Sequence, residues 1–145
     1  MGRWWAAPAS NPISSNWCVL RQRSKVELPE GLTAQEMAAL DEYLHRLRQE
    51  YGDQVVRVVL FGSRARGDAG PRSDTDLLVV VKTDARRTHR PIEQLGTEIA
   101  LRYGLTLSEL IIGPKRYQKL QRYRPPFYKR IEAEGIDLWT RTPAS

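Results

Sequence analysis

The chain has 145 residues, a formal net charge of +6 at pH 7 and 41% hydrophobic residues. This length supports one domain with a hydrophobic core. No stretch approaches the roughly 18 consecutive apolar residues of a membrane-spanning helix, which disfavours a membrane protein. The single cysteine, Cys18, excludes an internal disulfide and fits a reducing cytoplasm, where we expect the protein to act.

The first 28 residues differ in composition from the rest of the chain. They contain Pro, Ser and Asn without a hydrophobic period, so we expect a flexible basic tail over 1–28 and one folded domain over 29–145. Residues 1–25 hold four basic side chains and no acidic one, whereas residues 26–145 hold 19 basic and 17 acidic side chains. The small positive excess of the folded domain disfavours a nucleic-acid partner.

Helices and strands alternate along the folded domain. Thr33 and Glu36 form a capping box at the start of an amphipathic helix that ends near Gly52. Strands are predicted over 54–61, 76–82 and 105–112, with a short edge strand over 136–139. Further helices are predicted from Pro91 to Tyr103, from Pro114 to about Gln121, and from Phe127 to Glu134. The pattern predicts an α/β fold of the α+β type, a small mixed β-sheet flanked by helices, and leaves the direction of strand pairing open.

A glycine-serine pair follows the first predicted strand. Gly62 allows a tight turn and a close approach of a ligand to the backbone. Ser63 offers a hydroxyl and a helix N-cap, and the free N–H groups of a following helix suit a phosphate. Arg64 and Arg66 would add charge-assisted hydrogen bonds to a triphosphate. The stretch predicts a nucleotide-binding loop.

Two aspartates stand at the start of the next strand. Asp74 and Asp76 are two residues apart, so their carboxylates point the same way on a strand. Two carboxylates this close repel each other, and a hard divalent cation such as Mg²⁺ removes the repulsion. The spacing therefore predicts a metal site beside the nucleotide-binding loop.

These residues resemble a known signature. Gly62-Ser63, ten further residues and Asp74-x-Asp76 are similar to the motif of the DNA polymerase β-like nucleotidyltransferases. The amino-acid sequence around this motif is especially similar to that of the minimal nucleotidyltransferases, which are often paired with HEPN partners in toxin–antitoxin modules. The resemblance implies that Gly62, Ser63, Arg64 and Arg66 bind nucleotide phosphates. It also implies that Asp74 and Asp76 are catalytic and bind Mg²⁺, as two ions, with ATP as substrate.

The resemblance also implies a third carboxylate on a later strand. Within LTLSELII (105–112), Glu109 is the acidic residue and is one candidate for a third catalytic and metal-binding position. A second alignment places Thr106 there, which leaves the acid missing. Strand alternation puts the two residues on opposite faces, so only one of them can point at the metal.

The family resemblance implies a Mg²⁺-dependent transfer of AMP from ATP to an acceptor hydroxyl. The implied acceptor is a HEPN-type partner protein, modified by AMPylation within a toxin–antitoxin pair. One alternative is a catalytically weak or inactive antitoxin with the nucleotidyltransferase fold, which neutralises its partner by binding. A further alternative is transfer to a small molecule such as an aminoglycoside.

Overall fold

The computed structural model describes residues 32–62, residue 65 and residues 74–140. Four helices and four strands occupy these ranges: α1 (Ala34–Tyr51), β1 (Val55–Phe61), β2 (Thr75–Val81), α2 (Arg86–Tyr103), β3 (Leu107–Ile112), α3 (Pro114–Tyr123), α4 (Pro126–Glu134) and β4 (Ile136–Thr140). Most predicted elements agree with these bounds within two residues. The expected tail over 1–28 lies outside the described residues.

The described strands form one mixed sheet in the order β3-β2-β1-β4. β1 pairs antiparallel with both β2 and β4, and β2 pairs parallel with β3. The parallel pair is connected through α2, as a parallel crossover requires. The predicted mixed sheet with flanking helices is therefore confirmed, and the strand directions that the sequence left open are assigned.

The two faces of the sheet carry separate hydrophobic cores. The α1/α2 face packs the following strand residues against the first two helices: Val55, Val58, Leu60, Leu77, Val79 and Val81. The α3/α4 face packs these strand residues against the last two helices: Val56, Val59, Leu78, Val80 and Ile112. Because side chains alternate along a strand, the face of each strand residue decides which helices it meets.

Helix α1 begins where the sequence predicts. The Thr33 hydroxyl accepts a hydrogen bond from the Glu36 backbone N–H at 3.0 Å, and the Glu36 carboxylate accepts one from the Thr33 N–H at 2.8 Å. This reciprocal capping box satisfies two N–H groups that a bare helix end leaves without partners.

The start of α2 corrects the predicted boundary. The sequence places Pro91 at the first helical position, but the helix begins at Arg86 and contains Pro91 inside it. The extra turn has its own support: the Ala85 N–H donates to the Thr83 hydroxyl at 3.1 Å, and a ring nitrogen of His89 lies 2.8 Å from the Thr83 carbonyl oxygen. These local bonds offset the helix-breaking tendency of proline.

A partly buried arginine links α3 to the sheet. The Arg57 guanidinium on β1 donates to Asp137 on β4 at 2.8 Å and to the Tyr117 hydroxyl on α3 at 3.0 Å. The Tyr117 and Tyr128 rings meet edge to face with centroids 6.5 Å apart. Both tyrosines are buried, so these aromatic residues of α3 and α4 belong to the core.

We expect Arg57→Lys to lower the free energy of unfolding by about 1 kcal/mol, because an ammonium cannot reproduce the planar two-directional hydrogen bonding of a guanidinium. Urea unfolding measures the change. Arg46→Lys is the matched control, since Arg46 makes its ion pairs with Glu50 and Glu98 on the surface and should change stability little. Equal losses in the two variants would contradict the role given to Arg57.

No helix in the described part of the chain combines the length and the apolar character needed to cross a membrane.

Candidate active site

Gly62 turns the chain at the end of β1. Its φ is +80°, in the left-handed region that favours glycine. A Cβ built on Gly62 would collide with the carboxylate of Asp76, the residue that lies opposite its neighbour Phe61 in the β1–β2 pairing. The turn thus brings bare backbone against one of the two aspartates, as a phosphate site beside a metal site requires.

Asp74 and Asp76 stand where β2 begins. Asp76 follows the alternation of Leu78 and Val80 and therefore points to the α3/α4 face. It is partly buried, whereas Asp74 is exposed. Burial and the nearby charge of Asp74 together raise the pKa of Asp76. This uncompensated repulsion is the electrostatic condition that a bound cation would relieve.

The register of β3 excludes Glu109 from this pair. Glu109 lies opposite Leu77, whereas Ser108 lies opposite Asp76. Neighbouring residues in register share a face, so Glu109 points to the α1/α2 face with Leu77. The prediction that Glu109 completes the carboxylate set is therefore corrected: its carboxylate lies on the other side of the sheet from Asp74 and Asp76.

Glu109 instead occupies a pocket between the first two helices. It accepts a hydrogen bond from the Tyr43 hydroxyl, and Tyr43 is fully buried. Gly96 of α2 faces the same carboxylate, which fills the space that a Cβ on Gly96 would take. Burial raises the pKa of Glu109 to about 7, and the hydrogen bond from Tyr43 only partly offsets this effect. A glycine in the middle of an amphipathic helix was the sequence signal for this pocket.

Two residues with hydroxyl side chains, Thr106 and Ser108, lie beside the aspartate pair at the start of β3. The Ser108 hydroxyl donates to Asp74 at 3.2 Å. The Thr75 N–H donates to the Thr106 carbonyl oxygen at 2.9 Å, and continuing the register by one residue sets Thr106 beside Asp74. The second alignment, with Thr106 in the third place, fits this pairing. Among the described residues, no cluster of three His, Cys, Asp or Glu side chains is arranged to hold a metal ion.

Three predicted nucleotide-binding residues, Ser63, Arg64 and Arg66, lie outside the described residues. Their assignment stays a prediction from the sequence.

A cavity of about 310 Å³ opens beside the aspartate pair. Its lining consists of Phe61, Gly62, Asp76, Phe127, Arg130, Ile131 and Glu134. The sequence pattern predicts these α4 residues only as part of a helix from Phe127 to Glu134. Their spacing of three and four residues along α4 was the available signal, because it places them on one side of a helix.

Family comparison agrees with this geometry. Residues 40–144 match the family described as "Nucleotidyltransferase domain". The chain belongs to this nucleotidyltransferase family. The matched range includes Gly62, Asp74 and Asp76, and the membership expected from the Gly-Ser and Asp-x-Asp motifs is confirmed.

Two curated nucleotidyltransferase relatives come from Methanocaldococcus jannaschii, and both carry the name "putative protein adenylyltransferase". One is 38% identical over 79 residues, which cover 52% of this chain and 54% of the relative. The other is 35% identical over 86 residues, which cover 59% of this chain and 81% of the relative. The match thus spans about half the length of the first relative and four-fifths of the second.

Solved structures with a similar chain path come from toxin–antitoxin complexes. A toxin–antitoxin crystal structure with AMP-PNP aligns with a TM-score of 0.48 and 17% identity, covering 70% of this chain and 73% of that chain. The MntA-HepT toxin–antitoxin structure aligns with a TM-score of 0.44 and 15% identity, covering 72% and 73%.

Proposed function

We propose that this nucleotidyltransferase transfers AMP from ATP to a hydroxyl group of a protein acceptor. The observation that carries the proposal is the contact between the Gly62 turn and the Asp76 carboxylate, with Asp74 beside it. The metal must contact the triphosphate, so the groups that bind the two must lie within the length of one triphosphate. Gly62 and Asp76 satisfy this condition.

Each residue has a distinct part in the proposal. Gly62 leaves room for the triphosphate to approach the backbone, and Ser63, Arg64 and Arg66 are the predicted phosphate ligands. Asp74 and Asp76 would hold Mg²⁺, because paired carboxylates with water and phosphate oxygens are its usual ligands. The bound ion would neutralise negative charge on the triphosphate and on the departing pyrophosphate.

The proposed reaction exchanges one phosphorus–oxygen bond for another. The acceptor oxygen forms a bond to the α-phosphorus, and the bond to the oxygen bridging the α- and β-phosphates breaks. Pyrophosphate leaves with the bonding electrons, and the hydroxyl proton passes to solvent. In this scheme the role of the protein is to position the substrates and supply charge.

The proposed acceptor is a HEPN-type partner protein. The motif resemblance implies such a partner, and the names of the two relatives state that their acceptors are proteins. The chain therefore would act as an antitoxin that modifies its partner.

A second candidate function is neutralisation of the partner by binding alone. The observation that favours it is the position of Glu109 on the α1/α2 face, which leaves Thr106 and Ser108 beside the aspartates. The family resemblance implies a third carboxylate at this place, and the affinity of a metal site depends on the number of charged ligands. The two candidates differ in whether the partner is labelled.

A labelling experiment tests the proposal. The full chain is incubated with ATP labelled at the α-phosphate, Mg²⁺ and the product of the neighbouring gene, and label on that product is measured after denaturing electrophoresis. We expect EDTA-sensitive label on the partner and equimolar pyrophosphate. A complex that forms without label or pyrophosphate would support binding alone.

Restoring a carboxylate at Thr106 should strengthen metal use. In Thr106→Asp, the new carboxylate would stand beside Asp74, so we expect the Mg²⁺ concentration for half-maximal transfer to fall about tenfold. Initial transfer rates over a Mg²⁺ titration measure the change. Thr106→Asn is the matched control, because it has a similar size without the charge. The same Mg²⁺ dependence in both variants would contradict the inferred register position.

A further inference from the structure

The cavity beside Gly62 and Asp76 has walls of two chemical kinds. Phe61, Phe127 and Ile131 provide apolar surface, whereas Arg130 and Glu134 provide one cation and one anion. Its volume of about 310 Å³ lies at the lower end of the range for small-molecule sites, about 300–1,000 Å³. A recess of this kind suits a flat heterocycle with a polar edge better than it suits a phosphate.

We propose that this cavity binds the purine base of the nucleotide and that Arg130 and Glu134 recognise its edge. The inference rests on the proposed function, because Gly62 and Asp76 line the cavity and also form the predicted phosphate and metal site. A nucleotide with its phosphates at these two residues can extend its base into the adjoining recess without crossing the sheet.

The polar residues are spaced to act together. Arg130 and Glu134 are four residues apart on α4, so they project from the same side of the helix one turn apart. Arg130 makes no ion pair with any residue that the structure describes, which leaves its guanidinium available to a ligand. Both side chains are exposed at the helix surface and both line the cavity.

The chemistry of this pair matches a purine. Arginine donates to the ring nitrogen and carbonyl acceptors of a purine edge, and a carboxylate accepts from an amino group or ring N–H. The Phe127 ring supplies a face on which a base can stack. Stacking does not depend on which hydrogen-bond donors and acceptors the base carries. A pyrimidine has a smaller ring system, so with its phosphates in the same position it would reach less far toward Arg130 and Glu134.

Isothermal titration calorimetry of the full chain with Mg²⁺ tests the assignment without turnover. The ligands are non-hydrolysable analogues of ATP, GTP, CTP and UTP. We expect the parent protein to bind at least one purine analogue about tenfold more tightly than either pyrimidine analogue. Arg130→Gln, Glu134→Gln and Phe127→Leu should each reduce this preference to threefold or less.

Lys129→Gln is the matched control, because Lys129 is the exposed cation next to Arg130 and does not line the cavity. It should retain the purine preference of the parent within twofold. The thermal unfolding midpoint of every variant should stay close to that of the parent. Phe127→Leu retains apolar volume, so it keeps the test valid if a polar variant folds poorly.

The possible failures are distinguishable. If the parent binds no nucleotide, the proposed function fails and this inference fails with it. If the parent binds nucleotide but has no purine preference, or keeps its preference in all three cavity variants, the inference alone is overturned. If the variants bind nucleotide normally but need more acceptor protein for half-maximal transfer, the cavity holds the acceptor and the inference is also overturned.

Discussion

Replacing Asp74 and Asp76 together by asparagine should reduce transfer of AMP by about a thousandfold or more. Asp76 lines the cavity beside Gly62, and the charge of Asp74 is close enough to raise the pKa of Asp76. Asparagine retains the size of both side chains while removing both charges. Loss of metal-assisted stabilisation of the reacting phosphates is expected to have an effect of this order. Initial rates of partner labelling at saturating ATP measure it.

The fold of the double variant should remain intact. Because burial and the charge of Asp74 raise the pKa of Asp76, removing the charges relieves repulsion in the metal-free protein, so thermal stability should not fall. Asp53→Asn is the matched control, an exposed aspartate in the turn after α1, and should label the partner at the parent rate. Undiminished labelling by the double variant would exclude the assigned metal site.

Glu109→Gln should have the opposite effects to the double variant: the rate of transfer should stay within about twofold of the parent, and the stability should change. The pKa of Glu109 is about 7 in the folded protein, against an ordinary value of 4.5. A carboxyl whose pKa is raised by folding contributes stability below pH 4.5 and loses that contribution as pH rises through 7. Glutamine cannot ionise, so the variant should be more stable than the parent at pH 8 by about 2 kcal/mol.

Urea unfolding at pH 5 and pH 8 measures this difference. The parent should lose stability between the two values through Glu109, and Glu109→Gln should lose less. Glu50→Gln is the control, because Glu50 lies on the surface of α1 in an ion pair with Arg46 and should leave the pH dependence nearly unchanged. A collapse of transfer with an unaltered pH dependence would place Glu109 in the reaction after all.

Local signals in the sequence predicted most of the fold. The structure agrees with three short-range features of the sequence: the capping box at Thr33, the β-branched run before Gly62, and the prolines at the start of α3 and α4. The start of α2 was mispredicted because Pro91 resembles a helix start when the bonds of Thr83 and His89 are not visible. Those bonds depend on side-chain positions that a linear pattern does not specify.

The candidate site could likewise be predicted only in part, namely where its residues belong to one segment of the chain. Asp74 and Asp76 could be paired from the sequence because they lie two residues apart where one strand begins, and strand alternation then sets their relative direction. The placement of Glu109 required the pairing of β2 with β3, which is a relation between segments some thirty residues apart. The cavity required the packing of α4 against the end of β1. Gly96 and the spacing of the α4 residues are local signals, but neither shows which other segment of the chain packs there.

The β2–β3 pairing also suggests how the chemistry of this protein can change over evolutionary time. Glu109 and Ser108 are neighbours in the chain but face opposite sides of the sheet. Since a shift of one residue moves every side chain of a strand to the other face, deleting a single residue just before β3 and inserting one after it would set Glu109 opposite Asp76 and Ser108 opposite Thr75. A third acid would then join Asp74 and Asp76 on the α3/α4 face. Gain or loss of a catalytic carboxylate therefore does not require any amino acid at these positions to mutate.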